Sequence, residues 1–327
     1  MAQKTNLNIS PYYDDFDPND QFYKVLFKPG FPVQARELST LQSILQDQIE
    51  SFGSHMFKDG SMIIPGNIAY DSNYYSLRVF DDHLGIPVSL YIDQLVGLRL
   101  RGETSGAVVT IDNYQYPEDN PDVTDLTLYI KYLQSGPDNV DSGLFDTENL
   151  IVEETFTYGN TAVNAGETVL TLLENPASAT GSAVALSAGV YFIRGQFVQV
   201  PTDKIVLDPY DNMPSYRVGL NIDEQLITAK DEDSLYDNAR GFSNYAAPGA
   251  DRLRIKTTLA KKALTDYDDT NFIELLRIDF GEIKVLNEDT QYNLIRDYFA
   301  KRTFEESGNY TLNKFGIDVL DCLNDGI

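Results

Sequence analysis

Few residues in this chain have the types and spacing that catalysis or metal binding requires. Two histidines occur, His55 and His83, and neither lies at ligand spacing from another histidine or a cysteine. Zinc sites and histidine-based nucleophilic triads both need such neighbours. The pattern therefore predicts no metal site and no such triad, and His55 is interpreted as a packed or partly exposed surface residue.

The single cysteine, Cys322, is a weak candidate for a nucleophile. Asp318, Asp321 and Asp325 lie close to it in the sequence, and acidic neighbours disfavour the reactive thiolate. One cysteine also cannot form an internal disulfide. We therefore expect a fold without covalent cross-links, as in a chain that folds in a reducing cytoplasm.

Two motif types resemble ligand-binding loops without meeting their requirements. Asp15, Asp17 and Asn19 imitate the start of a calcium loop, but Asp20 stands where glycine is required and Leu26 where glutamate is required. An Asx-turn explains this string more simply. The glycine-bearing strings GETSG, TGSA and SAGV do not open a helix after a strand, as phosphate-binding loops do. The sequence thus predicts a protein that is not an enzyme and has no cofactor.

The charge balance limits the partners. The chain has 25 Lys and Arg against 50 Asp and Glu, a net charge of −25, which opposes binding to nucleic acid phosphates. Strong acidity is more typical of soluble subunits that repel one another before assembly. No segment approaches the roughly 18 apolar residues of a membrane span, and the N-terminus has no signal pattern. We expect neither nucleic acid binding nor membrane insertion.

The elements that position these residues begin with an extended arm at 1–30, which is interrupted by Pro11, Pro18 and Pro29. Its aromatic residues predict docking on the protein itself or on a neighbour. A long helix is predicted from about Pro32 to Phe57, with an apolar stripe whose spacing averages 3.6 residues. The predicted interface with partners or other copies comprises the stripe and three arm residues: Leu38, Leu41, Leu45, Ile49, Phe52, Met56, Tyr12, Tyr13 and Phe16.

Two interpretations of the stripe remain open. It could be the seam of a homo-oligomer, with a trimer favoured, or it could pack on the protein's own β-sheet. The second is slightly favoured because a period of 3.6 is typical of a globular face, whereas a coiled coil needs 3.5.

After the helix, short runs rich in β-branched and aromatic residues alternate with Gly, Pro, Asn and Asp, which predicts strands. Arg194 and Gly195 are predicted to join two of these runs as a hairpin. The fold class is mainly β with some α, a multidomain α+β protein whose long helix precedes small barrel or sandwich modules. Four units are predicted: 1–87, with the arm, helix and first strands; 88–145, a small β module; 146–230, β-rich; and 231–327, mixed. A second helix is predicted from about Glu288 to Lys301, capped by Asn287.

Four strings spread over the chain carry a family resemblance: VLFKPGFPVQARELSTLQSILQDQIESFG at 25–53, GVYFIRGQFVQV at 189–200, NYAAPGADRLRI at 244–255 and KRTFEESGNYTL at 301–312. They resemble a family of uncharacterised virion structural proteins of contractile-tailed phages, including phages of cyanobacteria. The resemblance implies a homo-oligomeric protein of the tail or baseplate, made in the host cytoplasm and located in the virion. It brings no catalytic residues, and residues 88–145 match it least. It also implies a longer chain, in keeping with the turn signal NDG at the end.

Three functions follow from these observations. The first is a structural protein that joins the tail or baseplate to a fibre or to neighbouring subunits. The second is a receptor-binding or glycan-binding fibre module, suggested by the 21 tyrosines and the small β module. The third is a cell-wall hydrolase carried on the tail, for which the sequence offers no specific motif.

Overall fold

The computed structural model describes residues 5–64, 66–118, 120–134, 145, 147–174, 177–287 and 294–308. The described chain is mainly β with few helices, which confirms the predicted fold class. The helices are α1 at Ala35–Met56, the single turn α2 at Ile92–Leu95, and α3 at Leu294–Ser307.

The strands follow one another closely along the chain. Strands β1 to β7 span Met62–Ile64, Ile68–Val79, Asp82–His83, Ile86–Pro87, Arg99–Gly102, Val108–Gln115 and Leu126–Gln134. Strands β8 to β14 span Asn149–Val152, Phe156–Tyr158, Thr161–Val163, Thr168–Thr171, Ser178–Leu186, Gly189–Ile193 and Gln196–Val200. Strands β15 to β19 span Asp203–Asp208, Tyr216–Ile227, Arg252–Ala263, Phe272–Asp279 and Glu282–Leu286.

The long helix α1 agrees with its prediction except at its start. Pro32 was predicted to lie in the first turn, but the helix begins at Ala35 because Gln34 is extended, with φ −90° and ψ 145°. The backbone N–H of Gln34 donates to the Glu37 carboxylate at 2.9 Å, as in a capping box. The predicted second helix exists as α3 and ends at Ser307, beyond the predicted Lys301. Its predicted start at Glu288 lies outside the described residues, and the side-chain amide of the predicted cap Asn287 donates to the Glu274 carbonyl at 3.0 Å.

The largest sheet has eight antiparallel strands in the order β11-β8-β5-β6-β7-β2-β12-β15. Strands β5, β6 and β7, from the predicted unit 88–145, lie in its middle. Their neighbours β2 and β8 come from the units before and after, respectively. The predicted boundaries at 87/88 and 145/146 therefore cut through one continuous sheet.

Two further sheets and two hairpins complete the described fold. A three-stranded sheet has the order β1-β13-β14, and a four-stranded sheet has the order β17-β16-β18-β19. Separate hairpins are formed by β3 with β4 and by β9 with β10. One apolar core lies under the β5–β8 and β11 half of the large sheet. A second core joins β13, β14, β16 and β18, so the described chain has two main centres of packing.

The hairpin of β13 and β14 turns at Arg194 and Gly195, as the sequence predicts. Both residues have positive φ, 50° and 78°, which is the backbone of a type I′ turn. Arginine rarely adopts this conformation. Its side chain is nevertheless buried, and the contacts that hold it there belong to the surface described next.

Candidate docking surface

The apolar stripe of α1 faces solvent. Leu38, Leu45, Ile49 and Phe52 are exposed, with Phe52 at 65% and Leu45 at 58%, while Leu41 and Met56 are half-buried. The interpretation that this stripe packs on the protein's own sheet is therefore wrong. The neighbouring exposed residues Gln42, Gln48 and Ser51 are uncharged.

A different face of α1, with Gln46, Glu50 and Gly53, attaches the helix to the β13–β14 hairpin. The Gln46 side-chain amide donates to the Gly195 carbonyl at 2.8 Å, and the Glu50 side chain lies beside Gly195. At Gly53 the helix comes so close to the hairpin that an added Cβ would lie 2.3 Å from the Phe192 ring. Close approach of a helix to a sheet needs a small residue, and this requirement selects the face that packs.

The arm docks on its own chain through polar side chains. The Tyr12 hydroxyl donates to the Asp251 carboxylate at 2.6 Å, and this hydrogen bond raises the pKa of Tyr12. Tyr13 is exposed and Phe16 is half-buried. Asp14 accepts a hydrogen bond from the Ser43 hydroxyl of α1. Of the three predicted arm residues, Tyr12 thus contacts Asp251, and Tyr13 is the most exposed.

The start of the arm reaches a buried ion pair. The Thr5 backbone N–H donates to the Glu224 carboxylate at 2.8 Å, and the other oxygen of that carboxylate lies 2.5 Å from the Arg194 guanidinium. Arg194 also donates to the Asn271 side-chain oxygen at 2.7 Å. The side chains of Arg194 and Glu224 are 7% and 5% exposed. This network fastens the β13–β14 hairpin to β16 and the arm to both.

Residues 21–34, here called the connector, comprise the last ten residues of the arm and the four residues that lead into α1. Every residue of the connector except Val25 is exposed. Its large apolar side chains are between 48% and 73% exposed and comprise Phe22, Tyr23, Leu26, Phe27, Phe31 and Val33. Sequence reasoning found the aromatic content of this region but placed the interface at Tyr12, Tyr13 and Phe16. The sequence did contain a signal for the connector, because no helix or strand pattern occurs between Gln21 and Gln34, and such a segment is more often exposed than its neighbours.

Of the three residues considered for catalysis or metal binding, His83 is held by hydrogen bonds inside the fold. His83 is buried, with its two ring nitrogens 2.9 Å and 3.2 Å from the hydroxyls of Thr171 and Thr168, and burial lowers its pKa. His55 is exposed near the end of α1. Cys322 lies outside the described residues. Among the described residues, no group of three or more His, Cys, Asp or Glu is placed to hold a metal ion.

The strings that imitate ligand loops are also occupied. Asp17 accepts from the Asn19 backbone at 2.9 Å, and Asp15 pairs with Arg36 at 2.7 Å. The GETSG turn does form a concave cluster of N–H groups, but the Glu148 carboxylate accepts from two of them, Thr104 and Ser105, at 2.7 Å and 3.0 Å. The chain's own acid therefore fills this anion site.

Membrane crossing by a helix is not supported by the described part of the chain, where no helix is both long and apolar enough to span a bilayer.

Comparison with known proteins identifies a family. No curated protein and no solved structure matches the chain. A family model matches residues 10–80 and 144–325 and leaves out 81–143, the stretch that contains β3 to β7. The match covers the arm, the connector, α1 and both ends of the large sheet. The chain belongs to the family described as a domain of unknown function, DUF4815.

Proposed function

We propose that this chain is a non-enzymatic structural subunit of a tailed-phage virion, joining the tail or baseplate to a fibre or to neighbouring subunits. The observation that carries the proposal is the exposure of the α1 stripe together with the connector that leads into it. Monomeric proteins rarely expose contiguous apolar patches above a few hundred Å². The resemblance of four strings to phage virion proteins supports the tail context.

The size of the apolar surface suits assembly. The connector and the stripe present ten large apolar side chains that are roughly half to three-quarters exposed. At roughly 100 Å² of exposed area each, they offer about 1,000 Å² per copy, compared with about 800 Å² per partner in a stable interface. We propose a homo-oligomer, with a trimer as the favoured form.

The charge distribution also favours this surface for contacts between acidic chains. Residues 21–58 have four basic and three acidic residues in a chain whose net charge is −25. Surfaces of like charge repel when they approach. A nearly neutral surface lets two strongly acidic proteins meet there without that repulsion.

The glycan-binding alternative has less support from the tyrosines that suggested it. Tyr74, Tyr91, Tyr129 and Tyr191 are buried. Five others pack against the first apolar core: Tyr75, Tyr114, Tyr116, Tyr132 and Tyr158. Recognition of sugars by stacking needs exposed rings, so these tyrosines serve the core instead. Binding on a glycan array that is lost when exposed tyrosines are replaced would favour this alternative.

Cross-linking mass spectrometry of intact phage particles tests the proposal directly. We expect cross-links from Lys24, Lys28 and Lys58 to tail, baseplate or fibre proteins. Absence of the chain from purified particles would contradict the proposal. Zymography of the purified chain on host envelope serves as the control for the non-enzymatic assignment, since a clear band would overturn it.

A further inference from the structure

A cavity in the large-sheet half of the molecule lies between the β3–β4 and β9–β10 hairpins. Its volume is about 200 Å³, and its walls include the rings of Tyr91, Phe156 and Tyr158. The Tyr91 and Tyr158 ring centres are 5.2 Å apart. An apolar cavity of about 150 Å³ is large enough to bind benzene. The cavity therefore has room for one phenyl or phenol ring.

The mouth of this cavity is acidic. Glu167 lines it and is exposed. Asp82 is also exposed and directly precedes the lining residue His83 in β3. Among the lining residues, His83 is the one with a basic side chain, and the hydroxyls of Thr168 and Thr171 engage its ring. An incoming group that pairs a ring with a cation fits this mouth in shape and in charge.

The connector presents such groups. Phe22 and Tyr23 are 67% and 72% exposed, and Lys24 follows them directly, as Lys28 follows Phe27. The connector contains two of the chain's 25 basic residues and none of its 50 acidic residues. Its charge is therefore opposite to that of the chain as a whole.

The connector and the cavity belong to different parts of the fold. The connector leads into α1, which packs on β14, a strand of the second core. The aromatic rings of the cavity belong to the first core. Because the connector is exposed along nearly its whole length, it does not fill the cavity of its own chain.

We propose that the connector of one copy docks in the cavity of a second copy of this chain, where one ring of Phe22 or Tyr23 fills the space and Lys24 meets the Asp82 and Glu167 carboxylates. This inference rests on the proposed function, since it names the partner of part of the docking surface. A contact between two different surfaces of identical chains is head-to-tail and closes into a ring when the rotation allows it. A trimeric ring is one such closed form.

Light scattering and sedimentation of the full chain, as a function of concentration and salt, test the proposal. We expect the wild-type chain to self-associate, and to do so more weakly at high salt because the lysine and carboxylate contacts are screened. The double change Phe22→Ser with Tyr23→Ser lowers the association constant by about tenfold or more, as loss of a central aromatic anchor does. Ala162→Trp places a large side chain at an exposed position that lines the cavity. It lowers the association constant by a similar factor, because the connector of the other copy can no longer enter.

Matched controls separate docking from folding. Ala165→Trp adds the same side chain at an exposed position outside the cavity lining and leaves association unchanged. Phe242→Ser removes a ring that is 75% exposed outside the connector and also leaves it unchanged. The connector variant and the Ala162→Trp variant, each monomeric alone, form a one-to-one dimer when mixed, because one intact contact is restored.

The outcomes are distinct from those of the virion test. A wild-type chain that stays monomeric, or an Ala162→Trp variant that associates as the wild type does, would overturn this inference. If the chain is nevertheless cross-linked to tail proteins in particles, the proposed function stands without it. If the chain associates through the cavity but is absent from particles, the proposed function fails and the head-to-tail contact stands.

Discussion

The buried ion pair beneath the arm gives the sharpest test of the fold. Replacing Glu224 with glutamine keeps the shape of the side chain but leaves the Arg194 guanidinium without its carboxylate at 2.5 Å, in a site where both side chains are under 10% exposed. Removing one partner of a buried pair costs about 3–5 kcal/mol. A domain has about 5–15 kcal/mol of stability in total. We therefore expect Glu224→Gln to remove a large share of the free energy of unfolding.

Urea unfolding followed by circular dichroism measures this loss. The unfolding midpoint should fall while the slope with urea stays unchanged. Glu232→Gln is the matched control, because Glu232 also pairs with an arginine, Arg254, at 3.6 Å, but with both side chains nearly half exposed. An exposed pair contributes about 0–1 kcal/mol. If the two variants lost the same stability, the reasoning about burial would be wrong.

A double replacement separates the ion pair from the packing around it. Arg194→Met together with Glu224→Leu removes both charges and keeps much of the apolar volume. Replacing a whole buried pair is often close to neutral, whereas breaking it is costly. The double variant should therefore lose less stability than Glu224→Gln alone, and a larger loss would show that the polar contacts to the arm dominate.

Three further changes test the helix and the buried histidine. Gly53→Val should lower the free energy of unfolding by about 1–3 kcal/mol, as overpacking does, because an added Cβ would lie 2.3 Å from the Phe192 ring; thermal unfolding measures this. Leu45→Ser with Phe52→Ser should change stability by less than about 0.5 kcal/mol per residue, since both are exposed, yet reduce co-purification with tail proteins. Burial lowers the pKa of His83 in the folded protein below the value of about 6.5 that it has in the unfolded chain. The stability that depends on neutral His83 is therefore present above about pH 6.5 and is lost as the pH falls through the folded-state pKa. The wild type should thus lose more stability than His83→Gln between about pH 7.5 and 5, as followed by melting temperature.

Each of these changes has a control on the same chain. Ser51→Val adds the same side chain to an exposed position of α1 and should have little effect compared with Gly53→Val. Phe242→Ser removes an exposed ring outside the docking surface and should leave co-purification intact. His55→Gln, at an exposed position, should keep the pH dependence of the wild type. Equal behaviour of a test variant and its control would contradict the corresponding assignment.

The local elements could be predicted from the sequence because their signals are local. The period of α1 and the turn at Arg194 and Gly195 both depend on residues close in the chain, and both were predicted correctly. The face of α1 that packs was not settled by the sequence, because two interpretations of the stripe were open and the slightly favoured one, packing on the protein's own sheet, was wrong. The hairpin packs against the side of α1 that carries Gly53, because it needs a small residue beside Phe192. That requirement arises between residues more than a hundred positions apart.

The candidate docking surface overlaps the predicted interface in part. The stripe residues were predicted to make contacts with partners or other copies, and four of them are exposed. The connector was described as aromatic but was left out of the predicted interface, since exposure depends on what the rest of the chain covers. The cavity beside His83 was not predicted, because its walls come from two hairpins separated by about seventy residues.

The central position of β5 to β7 constrains how the chain can vary. Because all pairs from β8 through β5, β6 and β7 to β2 are antiparallel, β8 and β2 run in the same direction with three strands between them. Excision of the stretch 81–143, which the family model leaves out, would bring these two strands together as a parallel pair, whose hydrogen bonds follow a different spacing. The stretch can therefore change in length and still pair in antiparallel fashion with both neighbours only while an odd number of strands remains between β8 and β2.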